Sequence, residues 1–168
     1  MSEANPRGLM RVALQGQISP PAIEMRVPLI SEAAEIGALM HAAYLDTIDY
    51  EGESLADAVR EVQKTFAGEY GDFNRECSRL LEQEGELAAA VLLTRWQGSP
   101  FVAFTMTHPR FKRTGLARAC MAGAMQALFA GGETELRLLV TLANAPAVRL
   151  YRSLGFAFEP WGSAGGEH

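Results

Sequence analysis

The chain has 168 residues, of which 48% are hydrophobic and 21% charged, and its formal net charge is −5. These values are typical of one globular domain with a sizeable core. The acidic balance argues against a nucleic-acid partner, because a surface that follows phosphates needs excess positive charge. Two cysteines, Cys77 and Cys120, lack the paired spacing of a disulfide framework or a zinc site, so we expect no metal.

No segment has the pattern of a secretory signal or of a membrane span. Residues 1–17 contain no continuous apolar core of the kind that a signal peptide needs. The longest apolar-rich run, 116–130, is interrupted by Arg118 and Gln126 and is too short to cross a bilayer. We therefore predict a cytoplasmic protein with no membrane partner.

The first part of the chain is predicted to contain a strand and two helices. Residues 1–22 are interpreted as an N-terminal extension or an extra edge strand. Residues 23–30 alternate well enough for a first strand, and Ser31 is a good N-cap for an amphipathic helix over 32–45. After a loop, apolar residues at helical spacing predict a second helix over about 53–67.

The pattern then changes to the shorter period of strands. Three consecutive strands with short connections are predicted in "ECSRLLEQEG", "ELAAAVLLTRW" and "SPFVAFTMTH", which makes them antiparallel. A helix over 116–130 leads to a strand over 135–142, which should run parallel to the strand before the helix. A helix starting at Asn144, a last strand and a flexible tail over 162–168 follow. This order predicts a single α/β domain over 23–161, with a central mixed, mostly antiparallel sheet flanked by helices.

The stretch "PRFKRTGLA", residues 109–117, lies where a predicted strand stops and a helix begins. It contains the consecutive cations Lys112 and Arg113, then Gly115 and the small Ala117. A helix N-terminus has free backbone N–H groups and a partial positive charge, both of which suit a phosphate. Two interpretations are open at this point: a phosphate cradle, or a tight turn whose cations are solvated. The stretch matches neither the P-loop pattern nor G-x-G-x-x-G.

The stretch "NAPAVRLYRSLGF", residues 144–156, is predicted to be a helix with Tyr151 on its apolar stripe. A tyrosine in this position is either a core aromatic residue or a hydroxyl group that reaches a site. Open α/β sheets place their ligands at the carboxyl ends of their strands. If both stretches lie at that edge, Tyr151 is close to whatever the loop binds.

Together the two stretches resemble the GNAT superfamily of N-acetyltransferases. The first is similar to the family's acyl-CoA loop, Arg/Gln-x-x-Gly-x-Gly/Ala, with Lys112 where Arg or Gln is usual and Arg113 where Gly is common. The second matches the family's pattern Asn-x-x-Ala-x-x-Leu-Tyr-x-x-x-Gly-Phe. The matching residues are Asn144, Ala147, Leu150, Tyr151, Gly155 and Phe156.

The resemblance implies a GNAT-like acyl-CoA N-acyltransferase fold and a defined reaction. Acetyl-CoA is the implied co-substrate, and an amine attacks it directly in a ternary complex. The catalytic residue is implied to be Tyr151, which protonates the leaving thiolate. The implied acetyl-CoA contacts lie at the end of a strand, where an N–H group can stabilise an oxyanion, in the loop, and at a helix start. They are Thr105, Met106, Thr107, Lys112, Arg113, Thr114, Gly115, Leu116, Ala117 and Asn144.

The sequence leaves the general base open, because the strand 101–106 carries no acidic residue. A water molecule is one alternative. The side-chain candidates are Glu82, Glu84, Glu86, Asp46, Asp49, His41 and His108. The acidic residues of the loop after the first helix are equally suited to bind a cationic acceptor.

The acceptor is predicted only as a primary amine of a small molecule or a peptide. The alternative function is a catalytically weak or inactive acyl-CoA sensor on the same fold, which Arg113 and the missing strand acid favour. The helix over 116–130 is apolar on nearly every side. This predicts either deep burial or a face hidden in a homodimer.

Overall fold

Six strands and four α-helices make up the described part of the chain in the computed structural model, which covers residues 5–16 and 22–160. The strands are β1 Arg7–Ala13, β2 Asp72–Gln83, β3 Glu86–Trp96, β4 Ser99–Thr107, β5 Glu135–Thr141 and β6 Ala157–Phe158. The helices are α1 Ala33–Tyr44, α2 Leu55–Phe66, α3 Leu116–Ala130 and α4 Ala145–Ser153. Short 3₁₀ turns precede α1 and α3. The predicted tail over 162–168 lies outside the described residues.

The strands form one sheet in the order β2-β3-β4-β5-β1-β6. The pair β4 and β5 is parallel, and all the other neighbouring pairs are antiparallel. Helix α3 connects the parallel pair, as the sequence predicted. The expectation of a mixed, mostly antiparallel sheet flanked by helices is therefore confirmed.

The first strand lies earlier in the chain than the sequence analysis placed it. Residues 23–30 form only an isolated bridge, between Arg26 and Leu80, so the prediction of a strand there is wrong. Pro28 within this segment has no N–H group to donate to a neighbouring strand. Strand β1 instead comes from residues 7–13 and lies between β5 and β6, inside the sheet rather than at its edge.

Two apolar clusters cover the two faces of the sheet. Helices α3 and α4 pack on one face, and α1 and α2 pack on the other. Seven consecutive residues of α3, 119–125, are buried within the chain, and Ile23 and Met25 pack against the same cluster. This burial accounts for the apolar character of α3. In the described part of the chain, no helix is long and apolar enough to cross a membrane.

Strand β4 changes its orientation at a bulge. Leu92 of β3 pairs with Phe104, but the next residue, Leu93, pairs with Val102, so Ala103 has no partner on β3. Strict alternation would put Val102 and Phe104 on the same face. Because of the bulge, Val102 joins the cluster under α3 and Phe104 packs on the cluster under α1 and α2.

Strands β4 and β5 separate soon after they meet. Within the described residues they pair only between Phe101 and Arg137 and between Val102 and Leu138. Both strands continue beyond these pairs, β4 to Thr107 and β5 to Thr141. The sheet is therefore open between the carboxyl ends of its two parallel strands, where backbone groups are left for other partners.

Candidate active site

A cavity of about 740 Å³ lies at this opening. Residues 102–105 of β4 and 138–141 of β5 line it from the sheet, and α1, α2, the loop between them and the start of α4 form its walls. The carboxyl ends of diverging parallel strands are the usual place for a ligand in open α/β sheets.

Tyr151 projects from α4 to the wall of this cavity. Its side chain is buried, its ring contacts the edge of Phe156 at a centroid distance of 5.9 Å, and its hydroxyl oxygen lies 3.2 Å from Oγ1 of Thr105. Either oxygen can donate the hydrogen. Burial raises the pKa of Tyr151 above its ordinary value; the hydrogen bond with Thr105 lowers it, and the charge of Asp49 raises it further. The structure thus brings together two residues that the sequence analysis selected.

A second tyrosine meets the same strand residue. The Tyr44 hydroxyl, at the end of α1, donates to the backbone carbonyl of Thr105 at 2.8 Å. Burial raises the pKa of Tyr44, and the charges of Tyr151 and Asp49 act in the same direction. Tyr44 is not among the catalytic or cofactor-binding residues predicted from the sequence, because its helical spacing is equally typical of a core position. Its place at the very end of α1, next to an acidic loop, was the signal available.

Asp49 connects the loop between α1 and α2 to the other side of the cavity. Its Oδ1 accepts a hydrogen bond from Oγ1 of Thr141 at 2.7 Å, and its Oδ2 accepts one from Nδ2 of Asn144 at 3.2 Å. Asn144 is the N-cap of α4, where its Oδ1 accepts from the N–H of Ala147. Thr141, the last residue of β5, was not predicted as a site residue, because nothing in the sequence links it to residue 49.

The loop before α3 presents unpaired backbone donors. Arg113 and Gly115 both have positive φ, 65° and 82°, and Gly115 is the N-cap of α3. Glycine adopts this left-handed conformation most easily, so it is uncommon for a residue with a side chain such as Arg113. Within the described residues, the backbone N–H groups of 113–118 have no hydrogen-bond acceptor in the chain. This arrangement of donors at a helix N-terminus suits an anion.

The other residues predicted to contact acetyl-CoA differ in how their side chains are placed. Lys112 and Thr114 are exposed in the loop, and Ala117 is half-buried at the start of α3. Met106 packs in the cluster under α1 and α2, and Leu116 packs in the cluster under α3. These two residues therefore offer only backbone groups to a ligand. Thr107 ends β4 and pairs with Ala89.

The model of the Acetyltransferase (GNAT) family matches residues 42–156. The chain belongs to the GNAT acetyltransferase family. A curated relative, the [ribosomal protein bS18]-alanine N-acetyltransferase of Escherichia coli strain K12, is 33% identical over 116 residues, which are 67% of this chain and 77% of the relative. Family membership confirms the predicted enzyme class and acetyl-CoA as the co-substrate.

Solved structures of GNAT acetyltransferases share the fold. A GCN5-related N-acetyltransferase from Sphaerobacter thermophilus matches with a TM-score of 0.68 and 17% identity, covering 91% of this chain. The match covers 48% of that protein, so this chain spans about half its length. The PaiA N-acetyltransferase of Thermoplasma acidophilum, solved in complex with coenzyme A, matches with a TM-score of 0.65 and 16% identity, over 82% of this chain and 91% of that one.

The candidate bases of this GNAT acetyltransferase fall into two groups. Asp49 and His41 line the cavity, and the ring of His41 lies 6.5 Å from that of Tyr50. The remaining candidates do not line it: Asp46, Glu82, Glu84, Glu86 and His108. The three glutamates lie at the β2–β3 turn, where Glu82 pairs with Arg26, and Glu84 and Glu86 pair with Arg110.

The outer wall of the cavity in this GNAT acetyltransferase is rich in acidic side chains. They come from α2 and from the loop before it, and they outnumber the basic side chains that line the cavity. The acidic residues are Asp49, Glu51, Glu53, Asp57 and Glu61; the basic ones are Arg7, Arg60 and Lys64. This excess of negative charge favours a cationic molecule over an anionic one at this wall of the cavity.

We expect the free energy of unfolding to decrease as the pH rises above about 10. Burial raises the pKa of Tyr44 and of Tyr151 in the folded chain, and burial together with a hydrogen bond to Glu61 raises the pKa of Tyr70 to about 12. Unfolded tyrosines titrate near pH 10, so above that pH the unfolded chain releases protons that the folded chain keeps. Below pH 10 these groups leave the stability unchanged.

Urea unfolding at pH 8, 10 and 11 measures this dependence. A variant with both Tyr44→Phe and Tyr151→Phe is expected to lose less stability between pH 10 and 11 than the wild type does. Equal losses in the two proteins would contradict the stated effect of burial on these two hydroxyl groups.

Proposed function

We propose that this GNAT acetyltransferase moves the acetyl group of acetyl-CoA to a primary amine by direct attack in a ternary complex, with Tyr151 as the general acid. The observation that carries the proposal is the position of the Tyr151 hydroxyl, at the wall of the cavity between β4 and β5 and beside Thr105. Acetyl-CoA supplies the thioester, whose thiolate leaves as the amine attacks.

The proton chemistry follows from the surroundings of Tyr151. An ordinary tyrosine is already protonated at neutral pH, and burial raises the pKa of Tyr151 further, so this side chain has a proton to give to the leaving sulfur. The hydroxyl group donates a hydrogen bond, and then its proton, to the sulfur as negative charge develops there during cleavage of the thioester. The hydroxyl group of Thr105 orients the tyrosine hydroxyl, and the Tyr44 bond to the Thr105 carbonyl holds the strand in place.

The pyrophosphate of acetyl-CoA is proposed to bind at the start of α3. The unpaired N–H groups of residues 113–118 fit an anion, and Gly115 places no side chain over them. Lys112 and Arg113 are exposed, so their charges add less than the backbone donors do. Backbone groups of Thr105–Thr107 and the side chain of Asn144 are the further proposed contacts.

The acceptor is proposed to be the amine of a small molecule or of a peptide. The acidic wall of the cavity supports an acceptor that arrives as a protonated amine. The Escherichia coli relative is named for acetylating an alanine of a ribosomal protein. A peptide with an N-terminal alanine is therefore a suitable first probe. The proposed proton acceptors are His41, which lines the cavity, or a water molecule in it.

Thermal unfolding with and without acetyl-CoA tests whether the co-substrate binds. Acetyl-CoA at 100 times its dissociation constant should add roughly 2.7 kcal/mol to the stability. For a chain of this size we expect the unfolding midpoint to rise by about 5–10 °C. Inorganic phosphate at equal ionic strength is the control and should give a much smaller shift.

The outcomes of the melt separate the candidate functions. No shift with acetyl-CoA contradicts binding, and with it both the enzyme and the sensor. A shift without CoA release, across the alanine peptide and a panel of small amines, favours the inactive sensor. A shift with amine-dependent release of CoA supports the proposed acetyltransferase.

A further inference from the structure

We propose that Asp49 is a positioning residue, which ties the loop on the acceptor side of the cavity to the end of β5 and to the start of the helix that carries Tyr151. This inference rests on the proposed function, because it concerns the placement of the proposed general acid. It assigns Asp49 a role different from proton abstraction and from binding a cation.

The two oxygens of the Asp49 carboxylate have separate partners in the chain. Oδ1 accepts from Thr141, a buried side chain at the end of β5. Oδ2 accepts from the amide nitrogen of Asn144. Residues 49 and 141 are far apart in sequence, so these bonds hold the loop between α1 and α2 against parts of the chain that are not its sequence neighbours. Hydrogen bonds to an ionised group are among the stronger ones in proteins.

The bond to Asn144 also orients the first turn of α4. With its Nδ2 directed to Asp49, the amide presents Oδ1 to the N–H of Ala147 and caps the helix. Tyr151 lies seven residues after Asn144, about two helical turns along the same helix. A loop that shifts away from Thr141 and Asn144 therefore changes both the acceptor wall and the base of α4.

The charge of Asp49 also acts on the Tyr151 hydroxyl, among the groups around it. The others are Tyr44 from α1, Thr105 from β4 and the ring of Phe156 after α4. Its negative charge favours the protonated form of Tyr151. Removing the charge should lower the pKa of Tyr151, and the rate should then begin to fall at a lower alkaline pH than in the wild type.

A double-mutant cycle tests the connection between Asp49 and Thr141. The assay is CoA release with a peptide that has an N-terminal alanine. We expect Asp49→Ala and Thr141→Val each to lower kcat/KM for the peptide about tenfold, and the double variant to be no worse than Asp49→Ala alone. Thr141→Ser keeps the hydroxyl group and should restore nearly wild-type kcat/KM, which separates the loss of the bond from poor folding.

The pH dependence gives a second readout. Asp49→Asn is expected to move the titration of Tyr151, followed by absorbance near 295 nm as the difference from Tyr151→Phe, to lower pH. Glu35→Gln removes the same charge from an exposed position on α1 and should leave the titration unchanged. This titration needs no turnover, so it tests the effect of Asp49 on Tyr151 even if the alanine peptide is not acetylated.

Three results would overturn the inference. If the losses in kcat/KM of the two single variants multiply in the double variant, the two side chains act independently. An unchanged Tyr151 titration in Asp49→Asn would remove the link to the proposed acid. A fall in kcat of a hundredfold or more in Asp49→Asn, with loss of the acidic limb, would make Asp49 the base. If Tyr151→Phe keeps the wild-type kcat, the proposed function fails instead, whatever the cycle shows.

Discussion

Replacing Tyr151 with Phe is expected to lower kcat for acetyl transfer about a hundredfold and to leave the affinity for acetyl-CoA nearly unchanged. The substitution removes only the hydroxyl group, which is 3.2 Å from Oγ1 of Thr105, and keeps the ring that packs against Phe156. Without the hydroxyl, the sulfur leaves as an unprotonated thiolate. Kinetics of CoA release and calorimetric titration of acetyl-CoA measure the two quantities separately.

Tyr44→Phe is the matched control for this prediction. It removes a neighbouring buried hydroxyl group, whose bond goes to the backbone carbonyl of Thr105. We expect it to cost about 1 kcal/mol of stability and to lower kcat far less than Tyr151→Phe does. If Tyr151→Phe weakens acetyl-CoA binding as much as it lowers kcat, Tyr151 has a structural role and the proposed acid is wrong.

The parts of the fold that the sequence predicted well are those in which local pattern and tertiary position agree. Helix α3, its parallel connection to β5, and α4 with its Asn144 cap have strong local signals, and the structure has all three. The first strand failed because residues 23–30 alternate like a strand but contain Pro28, whereas residues 7–13 pair on both sides. Alternation alone does not distinguish a paired strand from an extended loop.

The local sequence pattern could not predict the contacts within the candidate site. Asp49 bonds to Thr141 and Asn144, which are 92 and 95 residues away along the chain. The bulge at Ala103 shifts the alternation of β4, so the face on which Thr105 meets Tyr151 does not follow from counting residues in twos. The two motifs identified α4 and the loop before α3, but Asp49, which bonds to the end of β5 and the start of α4, comes from the region between α1 and α2, which has no motif.

Gly115→Val is expected to weaken acetyl-CoA binding about a hundredfold. Gly115 has φ of 82° at the N-cap of α3, a conformation that a β-branched residue strongly disfavours, although no atom lies within 4 Å of the added Cβ. The loop must therefore move, and the N–H groups of 113–118 lose the arrangement that suits a pyrophosphate. Loss of two hydrogen bonds to charged oxygens accounts for a change of this size.

The chain provides controls that separate backbone geometry from strain and from charge. Gly132→Val places the same residue at φ of 92°, also with no atom within 4 Å, beyond the other end of α3. It should lower stability to a similar degree and leave acetyl-CoA binding unchanged. Gly115→Asn should bind nearly as the wild type does, because asparagine tolerates positive φ.

Lys112→Ala should weaken binding only about threefold, because an exposed charge contributes little in water. If Lys112→Ala is instead as damaging as Gly115→Val, side-chain charge rather than backbone N–H groups holds the pyrophosphate.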